Sequence, residues 1–192
     1  MRQIDWDNVQ EKQAGSFDRP PVGGYVLTIM EAHEDEPKEY YRLYWDYAEG
    51  EWEGYREALF QTRGWNLPIF YRSYKNSAQG FFKTFMQVLQ DSNPRFDWHA
   101  WTKAGGKDAA LNGLKFGAVI GEEEYIGRDG KTKIRQVITE VLPIAKIHAG
   151  DFKVPELKKL KGDAQKPIPD VKPAAPAAAA PSPTYDETQC PF

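Results

Sequence analysis

The 192-residue chain is poor in the residues that most easily reveal a chemistry. It has one cysteine and three histidines. A single Cys190 excludes an internal disulfide framework, and so few thiols and imidazoles argue against a zinc site. His33, His99 and His148 have neither ligand nor triad spacing with one another. There is no Gly-x-Ser-x-Gly elbow and no Gly-rich phosphate loop, and Gly105-Gly106-Lys107 lacks a Walker context. No apolar run is long enough for a membrane span. Residues 1–7 contain no apolar core of a secretory signal, so the expected setting is the cytoplasm. An excess of positive charge is missing too. With 25 Lys and Arg against 28 Asp and Glu, the formal net charge is -3.

That deficit is unevenly spread. From Asp163 onward there are four acids and two bases, which leaves residues 1–162 with 23 bases against 24 acids. A nearly neutral body can still carry a local basic face, and phosphate binding is driven by Lys and Arg. The boundary falls near Lys161-Gly162. Residues 163–183 are rich in Pro and Ala, whose prolines break helices and whose few large apolar groups cannot offset ordering entropy. The expected state is a disordered spacer of polyproline character, with a reach of roughly 65 Å. Residues 184–192 follow, with Asp186 and Glu187 ahead of Pro191 and Phe192. A large hydrophobe beside negative charge suits an apolar pocket ringed by cations on a partner. A frayed terminus without a role is the plain alternative.

What the chain has in abundance is aromatic residues, 14% of the total. Residues 22–30 are β-rich, and residues 39–47 alternate, with Tyr41, Leu43, Trp45 and Tyr47 on one side. A turn at 48–51 leads to an expected third strand over 52–60. Phe82, Phe85, Met86 and Leu89 recur at helical spacing after a cap at Asn76 or Ser77, and Asn93-Pro94 ends that helix. A loop holding Trp98 and Trp101 precedes a hairpin of 114–126 and 133–147 around Asp129-Gly130. Three strands, one helix and a two-stranded hairpin give a mainly β fold, expected as a five-stranded OB-like barrel with a disordered C-terminal tail.

Twelve aromatic residues lie between positions 40 and 74, interleaved with Arg42, Arg56, Arg63 and Arg72 and followed by Lys75. Rings stack on bases at roughly 1–3 kcal/mol each, while cations hold phosphates. Tyr44, Trp45, Trp52, Tyr55 and Tyr74 are the candidate stacking rings. Arg128, Lys131, Lys133 and Arg135 add cations around the expected last hairpin, one wall of the groove in an OB barrel. Core packing and a solvated hairpin tip explain the same residues without a ligand. The rival chemistry is a two-metal nuclease built on Glu122-Glu123-Glu124 or on Glu31, Glu34, Asp35 and Glu36. Acid runs beside turns are usually solvated surface, so no metal, cofactor or catalytic residue is assigned. A protein-binding adaptor is a third possibility.

An OB-like domain at 1–162, a linker at 163–183 and an acidic tip ending in Pro191-Phe192 together resemble bacterial and phage single-stranded-DNA-binding proteins. The segments Tyr40-Tyr41-Arg42-Leu43-Tyr44-Trp45-Asp46-Tyr47 and Gly150-Asp151-Phe152-Lys153-Val154-Pro155 resemble a divergent type carried by phages and mobile elements. The resemblance implies a non-enzymatic protein that coats single-stranded DNA during replication, recombination and repair. It further implies that replication and recombination proteins dock on Asp186, Glu187, Pro191 and Phe192, and that several copies assemble as a homo-oligomer. On this reading affinity falls steeply with salt.

Overall fold

The computed structural model describes residues 19–160. The expected spacer at 163–183 and the tip with Asp186, Glu187, Pro191 and Phe192 lie outside the described residues. Five antiparallel strands form one sheet: β1 (Gly23–Asp35), β2 (Tyr40–Tyr47), β3 (Ile69–Ser73), β4 (Lys115–Ile126) and β5 (Thr132–Leu142). Their order across the sheet is β3-β2-β1-β4-β5. The mainly β class is therefore as expected. The barrel is not closed by hydrogen bonds, because β3 and β5 end the sheet without pairing with each other.

Alternation along β2 buries Tyr41, Leu43, Trp45 and Tyr47, each at most 5% exposed. Leu27, Ile29, Phe70, Phe116, Ala118 and Ile120 join them from the neighbouring strands. In β1 the buried face changes from odd to even positions, Leu27 and Ile29 first and then Ala32. A bulge between Ile29 and Glu31 makes the change, since one extra residue flips every later side chain. Glu31, His33 and Asp35 consequently point away from the core.

Helix α2 (Gln79–Ser92) covers the inner face with Phe85, Met86, Val88 and Leu89. Burying such a side chain stabilises by roughly 1.5–3 kcal/mol. The expected caps Asn76 and Ser77 are not used. Ala78 is the N-cap and makes no side-chain bond, while Asn76 accepts from the Gln79 amide side chain. At the other end Asn93 donates to the carbonyls of Leu89 and Lys115 and accepts from the Lys115 N–H, tying the helix to β4.

Three other expectations are corrected. Residues 52–60 are not a strand: a 3-10 turn at Gly50–Trp52 leads into helix α1 (Tyr55–Arg63), and the third strand lies further on at Ile69–Ser73. The loop around Trp98 and Trp101 is helix α3 (Trp98–Lys103), whose N-cap Asp97 accepts from the His99 and Ala100 N–H groups. The last strand stops at Leu142, because Pro143 starts helix α4 (Ile144–His148). The chain then crosses back over the sheet. Phe152 lies where a Cβ on Gly24 would sit, 2.5 Å away, and Pro155 does the same at Gly121. Lys158 finally pairs in parallel with Glu123 on β4.

Candidate nucleic-acid interface

Two strand registers build the outward face. Tyr40, Arg42 and Tyr44 of β2 stand opposite Asp35, His33 and Glu31 of β1, and opposite Ser73, Tyr71 and Ile69 of β3. His33 meets Tyr44 edge-on at 5.9 Å, and Tyr40 meets Tyr71 at 5.4 Å. Tyr71 is 54% exposed and presents its ring to solvent.

Helix α1 owes its position to one carboxylate. Asp46 is 1% exposed, the one buried charged side chain among the described residues. It accepts hydrogen bonds from its neighbour's Tyr47 N–H (2.7 Å), from Arg56 N–H (2.9 Å) and from Glu57 N–H (2.8 Å). Gly54, the N-cap residue, has no side chain to do this, so Asp46 caps the helix from the adjacent strand. The consequence is the placement of Arg56. Its guanidinium carbon lies 5.7 Å from the Trp45 ring, 5.9 Å from Tyr47 and 5.5 Å from Tyr55. Burial pushes the Tyr47 phenol up to about 12, against the opposing pull of Arg56. At the far end of α1, Arg63 lies 5.7 Å from the ring of Trp65.

The gap between β3 and β5 is a groove made of two connected clefts. One, of about 380 Å³, has Trp45 and residues 68–71 on one side and residues 135–138 on the other. The second, of about 490 Å³, is lined by Arg19, Tyr55, Arg56, Trp65, Pro68, Arg135 and Gln136. Pro68, Arg135 and Gln136 belong to both. The polar walls are braced from β4. Arg19 pairs with Glu122 at 2.8 Å and Arg135 with Glu123 at 2.6 Å, while Arg135 also lies 5.2 Å over Tyr125. The hydrogen bond from Arg135, with Lys158 adding to it, holds the Glu123 carboxyl below its usual range. Gln136 donates to the Pro20 carbonyl.

The groove thus gathers Trp45, Tyr55, Arg56 and Arg135 from the expected binding residues, and Arg63 stands beside it on Trp65. Trp45 is 5% exposed and forms wall and core rather than a free platform. Arg42 and Tyr44 lie on the outward face, and Trp52 packs edge-on against Tyr55 at 5.3 Å. Arg72 turns inward, in register with Tyr41, and stacks on Phe70 at 3.9 Å. Burial holds its guanidinium down to about 10. Tyr74 donates to Glu34 at 2.7 Å, which pushes its phenol up to about 12, and lines neither cleft. Lys75 is exposed beyond β3. Arg128 and Lys131 sit exposed at the hairpin tip, where Lys133 pairs with Asp129 at 3.1 Å.

Arg19, Trp65, Tyr71 and Gln136 also line the groove and were not among the expected binding residues. Trp65 and Tyr71 belong to the aromatic run and were visible as such. Nothing in the local pattern marks Arg19 or Gln136, which arrive through tertiary contacts. The acidic runs are engaged elsewhere. Glu31 pairs with His33 at 2.9 Å, Glu124 accepts from the Leu160 N–H, and Glu122 and Glu123 hold the arginines above. Among the described residues no group of three or more His, Cys, Asp or Glu is placed to hold a metal ion, and no helix is long and apolar enough to cross a membrane. No protein-family model matches the chain, and no curated protein matches it.

Proposed function

We propose that the domain binds single-stranded DNA without strong sequence preference, along the groove between β3 and β5 and the adjoining outward face. One observation carries the reading: Tyr55, Trp65 and Tyr71 line the same continuous groove as Arg19, Arg56 and Arg135. Flat rings take bases of any sequence, and guanidinium groups beside them meet the phosphates. Tyr40, Arg42 and Tyr44 extend the surface across β2. Asp186, Glu187, Pro191 and Phe192 then serve a separate purpose, recruitment of replication or recombination proteins to the coated strand. The support for that part is the sequence alone.

Titration of the full chain with oligo-dT tests the first claim. Tryptophan fluorescence falls saturably, with Trp65 the main reporter, and added salt reverses the change. An absence of both quenching and mobility shift at low salt refutes the reading. Double-stranded DNA and oligo-U in parallel titrations define strand and sugar preference.

A further inference from the structure

Arg56 is a half-buried cation without a counter-charge. Among the described residues its guanidinium forms no ion pair, and its Nε is buried with no hydrogen-bond partner. Its neighbours are the rings of Trp45, Tyr47 and Tyr55, and the Tyr47 hydroxyl is buried and unpartnered among the described residues as well. Ring faces attract the charge but leave the N–H donors unbonded. Desolvating a cation costs free energy unless an anion pairs with it, so this site is completed by one.

Arg56 lines the cleft of about 490 Å³ together with Arg19, Tyr55, Trp65 and Gln136. Strand register puts the charged part of this set on one side of the sheet. Glu122 and Gln136 are register partners two residues along from the partners Ile120 and Ile138, and Ile120 belongs to the core. Arg19, paired with Glu122, therefore meets the inner side, where Trp45 and Tyr47 of β2 carry Arg56. The pair uses Nη2 of Arg19 at 2.8 Å, so the carboxylate fixes the guanidinium and leaves its other N–H groups as donors. This cleft includes Pro68, Arg135 and Gln136 but not residues 69–71 or 137–138, which places it at the end of the groove where β3 begins. Residues 19–20 cross to Glu122 and Gln136 at that end. Phosphodiesters are spread along a groove with one charge each, whereas two guanidinium groups at its end match a single group of higher charge. A phosphate monoester carries roughly 1.5 to 2 negative charges at pH 7 and three acceptor oxygens, and arginines meet such a group through two N–H bonds at a time. Tyr55 and Trp65 give the same cleft aromatic walls, which suit the attached base.

We propose that this cleft seats a nucleoside phosphate monoester, the phosphorylated terminal nucleotide of a single strand, with Arg19 and Arg56 on the phosphate and Tyr55 and Trp65 against the base. The strand then runs from this end along the groove toward Tyr71 and Ile138. The end preference rests on the single-strand binding proposed above; the nucleotide site does not.

The test is calorimetric titration of the full chain with oligo-dT octamers carrying a 5′-phosphate, a 3′-phosphate or hydroxyls at both ends. One phosphorylated octamer binds at least fivefold tighter than the hydroxyl form, and which one it is fixes the polarity of the strand. The gain shrinks between pH 7.5 and 5.5, as the monoester takes up its second proton at about pH 6. In separate titrations thymidine 5′- or 3′-monophosphate binds and thymidine does not. Arg56→Gln keeps the backbone N–H that Asp46 accepts, and Arg19 is largely exposed, so Arg56→Gln and Arg19→Gln both fold. Each cuts the gain to less than twofold, while Lys103→Gln, which removes the same charge from α3, leaves it intact. Equal affinity of the three octamers, or a gain that survives both arginine substitutions, overturns the end site. Binding of a monophosphate that Arg56→Gln abolishes, with no octamer bound, overturns the single-strand reading and leaves the nucleotide site standing. Binding of the octamers alike, with no monophosphate bound, overturns the nucleotide site alone.

Discussion

Substituting Asp46 by Asn probes the contact that orients the interface. The change is isosteric, so no cavity is opened and the effect is electrostatic. Asp46 accepts three backbone N–H bonds, two on Oδ1 and one on Oδ2. Asn keeps one oxygen and turns an NH₂ group toward the third donor, leaving one buried N–H opposed by another. A hydrogen bond to a charged acceptor contributes about 1.5–3 kcal/mol. Loss of negative charge at the N-terminus of α1 adds about 0.3–1 kcal/mol. The expected cost is about 2–4 kcal/mol, which for a domain of this size lowers the melting temperature by roughly 6–14 °C. Circular-dichroism melts of the full chain measure it, and trypsin cleavage after Arg56 and Arg63 should quicken as α1 loosens. Asp97→Asn, which weakens an exposed cap of the same kind, serves as the comparison and costs less. A drop below about 2 °C, with unchanged cleavage at Arg56 and Arg63, would refute the capping role assigned to Asp46.

Trp65→Ala should weaken oligo-dT binding by about 5- to 150-fold, the loss of one stacking platform of roughly 1–3 kcal/mol, with little change in melting temperature. Trp45→Ala should instead destabilise the fold by about 3–5 kcal/mol, because that ring is core. Parallel melts and titrations separate the two, and equal melting losses would contradict the assignment. Arg72→Met should leave the melting temperature unchanged or raise it, since a desolvated cation with no ion partner among the described residues is replaced by an apolar side chain of similar length. A loss above about 3 °C counts against this. The Glu123–Arg135 link has a defined pH window. The folded state lowers the Glu123 pKa below 4.5, so the link's contribution is present above that value and disappears as pH falls through the lower folded value. The melting-temperature difference between the native chain and Glu123→Gln should therefore shrink as the pH is lowered below 4.5.

The parts of the fold that were legible in the sequence are those set by simple period. Tyr41, Leu43, Trp45 and Tyr47 alternate as a half-buried strand must, and Phe82, Phe85, Met86 and Leu89 repeat as a packed helix must. Residues 52–60 defeated the same rules. Trp52, Tyr55 and Phe60 have strand-like side chains, yet the segment folds as a turn and α1 because Asp46 supplies acceptors for two N–H groups of the helix's first turn. That partner lies ten residues upstream of Arg56 and leaves no mark in the local pattern. Ile144 and Ile147 likewise suggested a longer last strand, but Pro143 ends the ladder. The β-bulge between Ile29 and Glu31 was invisible for another reason: the apolar run 26–30 is compatible with either face. At the interface, Arg56 and Tyr55 were legible because aromatic and basic residues are dense there. Arg19 and Gln136 were not, since only the approach of residues 19–20 to β5 makes them neighbours. Arg72 was read as surface because interleaving with rings does not say on which side of the strand it falls.

The pinning of the groove arginines changes what its charge can do. Arg19 and Arg135 are each held by a carboxylate on β4, at 2.8 and 2.6 Å. Such pairs fix the guanidinium planes but leave little net field, and Arg56 is the one groove arginine with rings as its neighbours on three sides. Counterion release scales with the number of phosphates neutralised, about 0.7 in the salt slope for each on a single strand. With Glu122 and Glu123 competing for two of the three groove cations, that number is small. If the groove binds a single strand as proposed, this pinning leads to a shallow salt dependence, with an expected slope of roughly -1 to -2. On the proposed function, stacking on Tyr55, Trp65 and Tyr71 then supplies most of the expected affinity. Under this arrangement the near-neutral charge of the body is no obstacle to binding a strand, because the arginines act chiefly by orientation.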